Sequence, residues 1–353
     1  MILSKKVLVA PLNWGLGHAT RCIPIINALI NEGLEPVIAS DGAALALLKK
    51  EFPDLKSEEI PSYNIEYSKK ASNFKLKMLL NSPKIAHTIT AEKKITKRII
   101  ESDDFYGIIS DNRMGVRHKS IPSVFITHQL TVLSGKTTSI STKIHSKYIK
   151  KFDVCWVPDM ADDPSLSGEL GHPKRSNIPV TYLGPLSRFT YQNLPKKYDI
   201  MVLLSGPEPQ RTMLEKKLFQ EFERSDKKIV FVRGIIEETQ KTYVKNNIII
   251  HNYLTGNALQ DTINSSNIII SRSGYTTVMD LAKLKKKAFF IPTPGQFEQE
   301  YLAQRLTNNK LVPSCKQNEF TLKKLYNLNA YKGLSSFSTD IDYGELFHFF
   351  QSK

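Results

Sequence analysis

Cysteine is scarce: the chain holds only Cys22, Cys155 and Cys315, far apart and with no cysteine or histidine beside them at metal-ligand spacing. A scattered, odd-numbered set argues against a disulfide framework or a zinc site and for reduced thiols, so neither a metal nor a cofactor is expected. No stretch approaches the roughly 20 apolar residues that a membrane-spanning helix needs. The first eleven residues run straight into a strand and a glycine turn and lack the zones of a signal peptide, so a cytoplasmic location is the expectation. Acid is also short, with 34 Asp+Glu against 49 Lys+Arg and a formal net charge of +15. A lysine-rich solvated surface accounts for a surplus shared evenly by both halves. Nucleic acid is the other partner that a high pI suggests, but no zinc-finger, RNP or leucine-zipper pattern is present. The densest basic run comprises Lys69, Lys70, Lys75, Lys77, Lys84, Lys93, Lys94, Lys97 and Arg98, with Glu92 as its single acid. Phe74, Leu76, Met78, Leu79 and Leu80 sit among these lysines. In a soluble helix they are core; their alternative is docking on an anionic membrane surface, which is favoured here over nucleic acid.

What is present is an ordinary folded composition, 41% apolar and 24% charged, over 353 residues, a length that suits two domains. Apolar runs of strand length alternate with amphipathic stretches of helix length. In the first half, strands are predicted at 7–12, 36–40, 107–111, 123–128, 154–158 and 180–183, with helices at 18–32, 42–51, 72–101 and 139–151. A Pro-rich, polar stretch at 184–198 reads as a linker. The alternation resumes with strands at 200–204, 229–232, 248–251, 268–271 and 289–292. The expected fold class is α/β, with two tandem doubly wound, Rossmann-like domains facing a cleft that holds the ligands. Their bounds are 1–183 and 199–353, with the last helix packing back on the N-terminal domain.

The sharpest local signal lies in the second domain. Ile268, Ile269 and Ile270 form a buried strand that breaks at Ser271-Arg272-Ser273-Gly274 and enters a helix. Such a junction aims backbone N–H groups and the positive end of a helix dipole at one spot, which suits a phosphate. Thr276 lies in that first turn, and Asp280 follows six residues past Gly274, placed to accept hydrogen bonds from two ribose hydroxyls. The plainer reading is an ordinary strand-to-helix connection. Against it, the next strand closes with Gln296, Gln299 and Glu300, side chains suited to sugar hydroxyls. Ser205 and Gly206 end the domain's first strand and offer further donors to phosphate, with Pro207 or Pro209 starting the next helix. Tyr253 and Leu254 follow His251-Asn252, where their backbone can meet the edge of a base.

The first domain opens with a strand that turns at Gly15 and Gly17 into a helix bearing His18 and Thr20. A full dinucleotide G-x-G-x-x-G is absent, since Thr20 stands at the third glycine, which weighs against NAD. At a helix N-terminus the charged form of His18 is disfavoured, leaving a neutral ring able to take a proton; its plain alternative is a capping residue. Asp111 and His128 each end a predicted strand and face the same sheet edge, as partners to a base or as turn formers.

Taken together, these residues resemble the two-domain GT-B glycosyltransferases of family 28, whose bacterial members add N-acetylglucosamine to a lipid-linked peptidoglycan precursor. The resemblance covers nearly the whole chain. It rests on Gly15, Gly17, His18 and Thr20, on the strand ending His128-Gln129, and on Arg272 to Asp280 with Gln296 to Tyr301. It implies that Ser273 and Gly274, with the turn carrying Arg272, hold the donor diphosphate, that Asp280 holds the ribose, and that Gln299 and Glu300 contact the donor sugar. It further implies that the Tyr253-Leu254 backbone meets the uracil of a UDP-sugar, that His18 is an acceptor-side base, and that inversion proceeds without metal. Two positions depart from the family pattern: the second glycine-rich loop is reduced to Gly206, and the ribose residue is Asp280 where Glu is usual. The expected partners are therefore a nucleotide sugar and a lipid-linked or glycan acceptor at a membrane face. A UDP-sugar epimerase and a non-catalytic nucleotide-sugar binder are the competing classes. An epimerase would change the sugar of a UDP-sugar without any acceptor.

Overall fold

The computed structural model describes residues 5–63, 74–174, 177–235, 237–337 and 339–351, with the side chains of 74–82 not included. The basic and apolar cluster centred on residues 69–80 lies outside the described residues in its side chains. The chain divides into two compact units, residues 1–188 with 340–353, and residues 189–339.

The first unit runs β1 (Lys6–Pro11), α1 (Gly17–Asn31), β2 (Glu35–Ser40), α2 (Gly42–Glu51), β3 (Ser57–Glu59), α3 (Phe74–Glu101), β4 (Phe105–Asp111), β5 (Ser123–Ile126), α4 (Thr138–Ile149), β6 (Val154–Val157) and β7 (Val180–Tyr182). Its seven strands lie parallel in the order β3-β2-β1-β4-β5-β6-β7. Parallel strands need helical crossovers that cover both faces, which is why Val7, Leu8 and Val9, or Val124, Phe125 and Ile126, are consecutive buried residues. The strand order reverses between β1 and β4, so a crevice opens at their carboxyl ends, the usual ligand position in such sheets.

The second unit comprises β8 (Tyr198–Leu203), α5 (Gln210–Phe222), β9 (Ile229–Val232), β10 (Thr242–Lys245), β11 (Ile248–His251), α6 (Gly256–Asn264), β12 (Ser266–Ser271), α7 (Tyr275–Lys283), β13 (Lys287–Phe290) and α8 (Phe297–Asn308). The order is β10-β11-β9-β8-β12-β13, parallel except for the β10–β11 hairpin, and it reverses between β8 and β12. Phe222, Phe231, Phe289 and Phe320 stack edge to face in its core. Each such side chain contributes about 1.5–3 kcal/mol by burial.

The last helix, α9 (Tyr343–Phe347), and the turn after it belong to the first unit. Phe347 and Phe350 pack on Trp156, and Phe350 lies so close over Gly107 of β4 that a Cβ there would fall 2.2 Å from its ring. Two strands escape the sequence reading. β3 is Ser57-Glu58-Glu59, with no apolar residue, and all four residues of β10 are exposed on the sheet edge. One strand is shorter than expected: β5 stops at Ile126, so His128 lies in the loop beyond it. Among the described residues no helix is long and apolar enough to cross a membrane.

Candidate active site

In the first unit, β1 ends at Pro11, paired in register with Asp111 at the end of β4, so that carboxylate stands beside the loop that enters α1. Gly15 turns this loop with φ +71°, a left-handed conformation that a side chain disfavours. His18 and Arg21, three apart on α1, share one face and both meet Asp111. His18 Nδ1 lies 2.8 Å from Asp111 Oδ1; Arg21 Nε donates to Oδ2 at 2.5 Å, and Arg21 Nη2 donates to Oδ1. His128 joins through Arg21 Nη1, 3.2 Å from its Nδ1. The three expected residues His18, Asp111 and His128 thus fall in one cluster, held together by an arginine that the sequence reading did not single out. Its signal was the i, i+3 spacing from His18.

Electrostatics follow from burial and this pairing. Burial alone would raise the Asp111 carboxyl, but Arg21 and His18 outweigh it and hold the group well below the usual carboxylate range. Burial lowers His18, with Asp111 pulling the other way. A neutral His18 that donates Nδ1–H to Asp111 keeps its lone pair on Nε2, the arrangement of a general base. Thr20 is engaged locally, its hydroxyl donating to the Gly17 carbonyl at 3.1 Å.

A second buried network stiffens the loop. Arg113 donates through Nε to the Pro11 carbonyl at 2.9 Å, through Nη1 to Glu92 at 3.0 Å, and through Nη2 to Asp41. Asp41 in turn accepts from Asn13 of the turn at 3.0 Å, and Glu92 accepts from Tyr63 at 2.7 Å and from the Gly115 amide at 2.9 Å.

In the second unit, Gly274 is the N-cap of α7 with no side-chain cap, and a Cβ built on it would meet nothing within 4 Å. The first amides of α7 thus have no side-chain cap and stand at the positive end of a dipole. The α5 N-terminus on the neighbouring strand differs. There Glu208 accepts from the Thr212 amide at 3.2 Å and its hydroxyl at 3.0 Å, and pairs with Arg211. An internal carboxylate already fills that anion position, next to exposed Ser205 and Gly206. α5 begins after Pro209, as one of the two expected prolines required.

Ser273 donates its hydroxyl to the Gln299 carbonyl at 2.8 Å, tying the α7 turn to the start of α8. Gln299 accepts from the Thr293 amide at 2.9 Å and donates to Gln296 at 2.6 Å, while Glu300 accepts from the Gly295 amide at 2.8 Å. These side chains shape the loop between β13 and α8. Thr276 and Asp280 are partly exposed on α7, with Asp280 in its second half. Tyr253 and Leu254 lie on the loop after β11, where Asn252 accepts from the Tyr253 amide at 3.0 Å.

Arg272, expected at the donor site, is 1% exposed, and burial lowers it to about 10. Its guanidinium donates to the carbonyls of Ile291 and Pro292, both at 3.0 Å, to the Gln210 carbonyl at 2.8 Å and to Gln317 at 2.7 Å. It is a clamp that binds the ends of β12 and β13 to the start of α5.

Residues 209–329 match the model of the glycosyltransferase family 28 C-terminal domain. The matched residues lie within the second unit. The likeness extends beyond it. An uncharacterized glycosyltransferase of Methanopyrus kandleri is 23% identical over 342 residues, 88% of this chain and 90% of that protein. The UDP-N-acetylglucosamine–N-acetylmuramyl-(pentapeptide) pyrophosphoryl-undecaprenol N-acetylglucosamine transferase of Buchnera aphidicola is 27% identical over 298 residues, 79% of each chain. Among solved structures, the glycotransferase of kitacinnamycin superposes with TM-score 0.66 at 12% identity over 99% of this chain and all of that one. MurG of Acinetobacter baumannii gives 0.58 at 12% identity, with the same coverage. The chain is a glycosyltransferase homologue of GT-B fold. Within the matched residues, the uncapped α7 N-terminus and the Ser273–Gln299 contact form the segment that the sequence marked as the donor site.

Proposed function

We propose that the protein is an inverting glycosyltransferase that moves a hexose or N-acetylhexosamine from a UDP-linked donor to a lipid-linked or cell-envelope acceptor. The observation that carries the reading is the 2.8 Å contact of His18 with Asp111, which supports a proton-accepting Nε2 beside the glycine turn. In this mechanism the acceptor hydroxyl oxygen attacks the anomeric carbon as His18 Nε2 takes its proton. The bond from that carbon to the diphosphate oxygen breaks on the opposite face, and the electron pair leaves with the diphosphate. The uncapped α7 N-terminus, with the Ser273 and Gly274 turn, receives that developing charge by dipole and amide donors. Asp280 takes the ribose hydroxyls, and Gln296, Gln299 and Glu300 the sugar.

The membrane-facing part of the reading is supported by α4. Ile140 and Ile144, one turn apart, are 62% and 55% exposed. Lys143, Lys147, Lys150 and Lys151 are exposed around them, and residues 129–152 contain no acid. A basic helix face with an apolar stripe suits the cytoplasmic surface of an anionic bilayer.

Calorimetry with UDP tests the donor site. Asp280→Ala is expected to lose roughly 1.5–3 kcal/mol, about ten- to a hundred-fold in affinity, with the fold unchanged by circular dichroism. Unaltered UDP affinity would remove Asp280 from the site.

A further inference from the structure

The mechanism above leaves Arg21 without a chemical role, although its guanidinium, 2% exposed, touches every titratable member of the cluster. Arginine carries only N–H donors and stays charged, so a ring nitrogen it touches must accept unless a carboxylate beside it claims the ring proton. At His128, Nη1 lies 3.2 Å from Nδ1. That nitrogen must offer its lone pair, which puts the ring proton on Nε2 and blocks protonation at Nδ1.

His18 presents the opposite case. Its Nδ1 lies 2.8 Å from Asp111 Oδ1 and 2.8 Å from Arg21 Nη2. With Nδ1 unprotonated, a lone pair would face the carboxylate oxygen with no hydrogen between them. With the proton on Nδ1, both His18 and Arg21 donate to Oδ1, which has lone pairs for two donors. Asn112 adds a longer contact to that oxygen at 3.4 Å.

We infer that Arg21 is a positioning residue which, together with Asp111, sets opposite tautomers on two histidines: His18 with its lone pair on Nε2, and His128 with its proton on Nε2. For its functional meaning this rests on the glycosyl-transfer reading. His18 then takes the proton of the acceptor hydroxyl, while His128 carries its proton on Nε2 as a hydrogen-bond donor. His128 is thereby barred from acting as a second base through Nδ1.

The remaining groups around the cluster do not upset this arrangement. Cys22 Sγ lies 3.7 Å from Asp111 Oδ2, and burial beside that carboxylate pushes its thiol well above the ordinary range, so it stays neutral. His145, edge-on to Phe125, is lowered to about 4 by burial, with His128 adding to the effect.

The test uses the full chain with histidines labelled by ¹⁵N, long-range ¹H–¹⁵N spectra between pH 6 and 8, and assignment by His18→Asn and His128→Asn. The expected spectrum shows His18 as the Nδ1–H tautomer and His128 as the Nε2–H tautomer. In Arg21→Gln, His128 loses its single tautomer and the His18 midpoint rises, because a neighbouring positive charge is gone. Arg21→Lys keeps the charge but not the fork and is expected to release the His128 tautomer alone. A wild-type His128 that carries Nδ1–H, or a wild-type His18 with its proton on Nε2, would overturn the inference; neither result depends on whether a variant folds. UDP calorimetry on the same samples separates the two readings, since the tautomers can be as stated in a protein that fails to bind UDP.

Discussion

His18 combines two influences that favour a neutral ring: it is largely buried, and it sits in the first turn of α1, where the helix dipole opposes positive charge. Its midpoint is lowered below the usual 6.5, so the ring remains an unprotonated base as pH falls through 6.5 and loses activity only below its lowered value. The rising limb of kcat/KM against pH is accordingly expected below 6.5. A limb at or above that value would exclude the buried imidazole as the base. His18→Ala is expected to keep its UDP affinity and lose about 10²- to 10⁴-fold in transfer, as assayed with labelled donor. At this scale His18, Asp111 and His128 were visible in the sequence because each lies at or just past the end of an element, where polar residues reach the sheet edge. Arg21 was not, because its i, i+3 spacing from His18 does not by itself distinguish a buried arginine on a helix from a solvated one.

The elements themselves are legible wherever burial dictates composition, as in the isoleucine runs of β11 and β12 or the valines of β1. They are illegible where pairing alone makes a strand, as in polar β3 and exposed β10. The same blindness affects charge. Glu92 reads as the single acid offsetting the basic run of α3, yet it is fully buried on Arg113, so it neutralises an interior cation and does not offset exposed Lys94 and Arg98. Arg272 is similar, since its place in a phosphate-like turn says nothing of the carbonyls that surround it. The Arg113 network joins the β1 loop, α2 and α3, and removing its cation strands two buried carboxylates. Arg113→Leu is expected to cost about 3–5 kcal/mol in thermal or urea unfolding. A loss below 1 kcal/mol would show that the network does not hold these elements.

For the whole molecule, the net charge of +15 bears on the membrane reading, with the exposed lysines of α4 the described part of it. Lysines near an anionic surface contribute about 1 kcal/mol each, and salt screens them over about 8 Å at physiological strength. The protein is expected to co-sediment with anionic but not neutral vesicles and to be released by salt. Ile140→Ser with Ile144→Ser and Lys147→Glu should weaken recovery while the unfolding transition stays in place. Equal amounts in the supernatant under all conditions would end the membrane reading.

The return of Phe347 and Phe350 to the first unit makes residues 189–339 an insertion within it. During synthesis, the groove over Gly107 and beside Trp156 stays open until Phe347 and Phe350 leave the ribosome. The first unit is thus completed only after the second has been made, and a ribosome that stalls within residues 189–339 releases a first unit with an unsealed aromatic core.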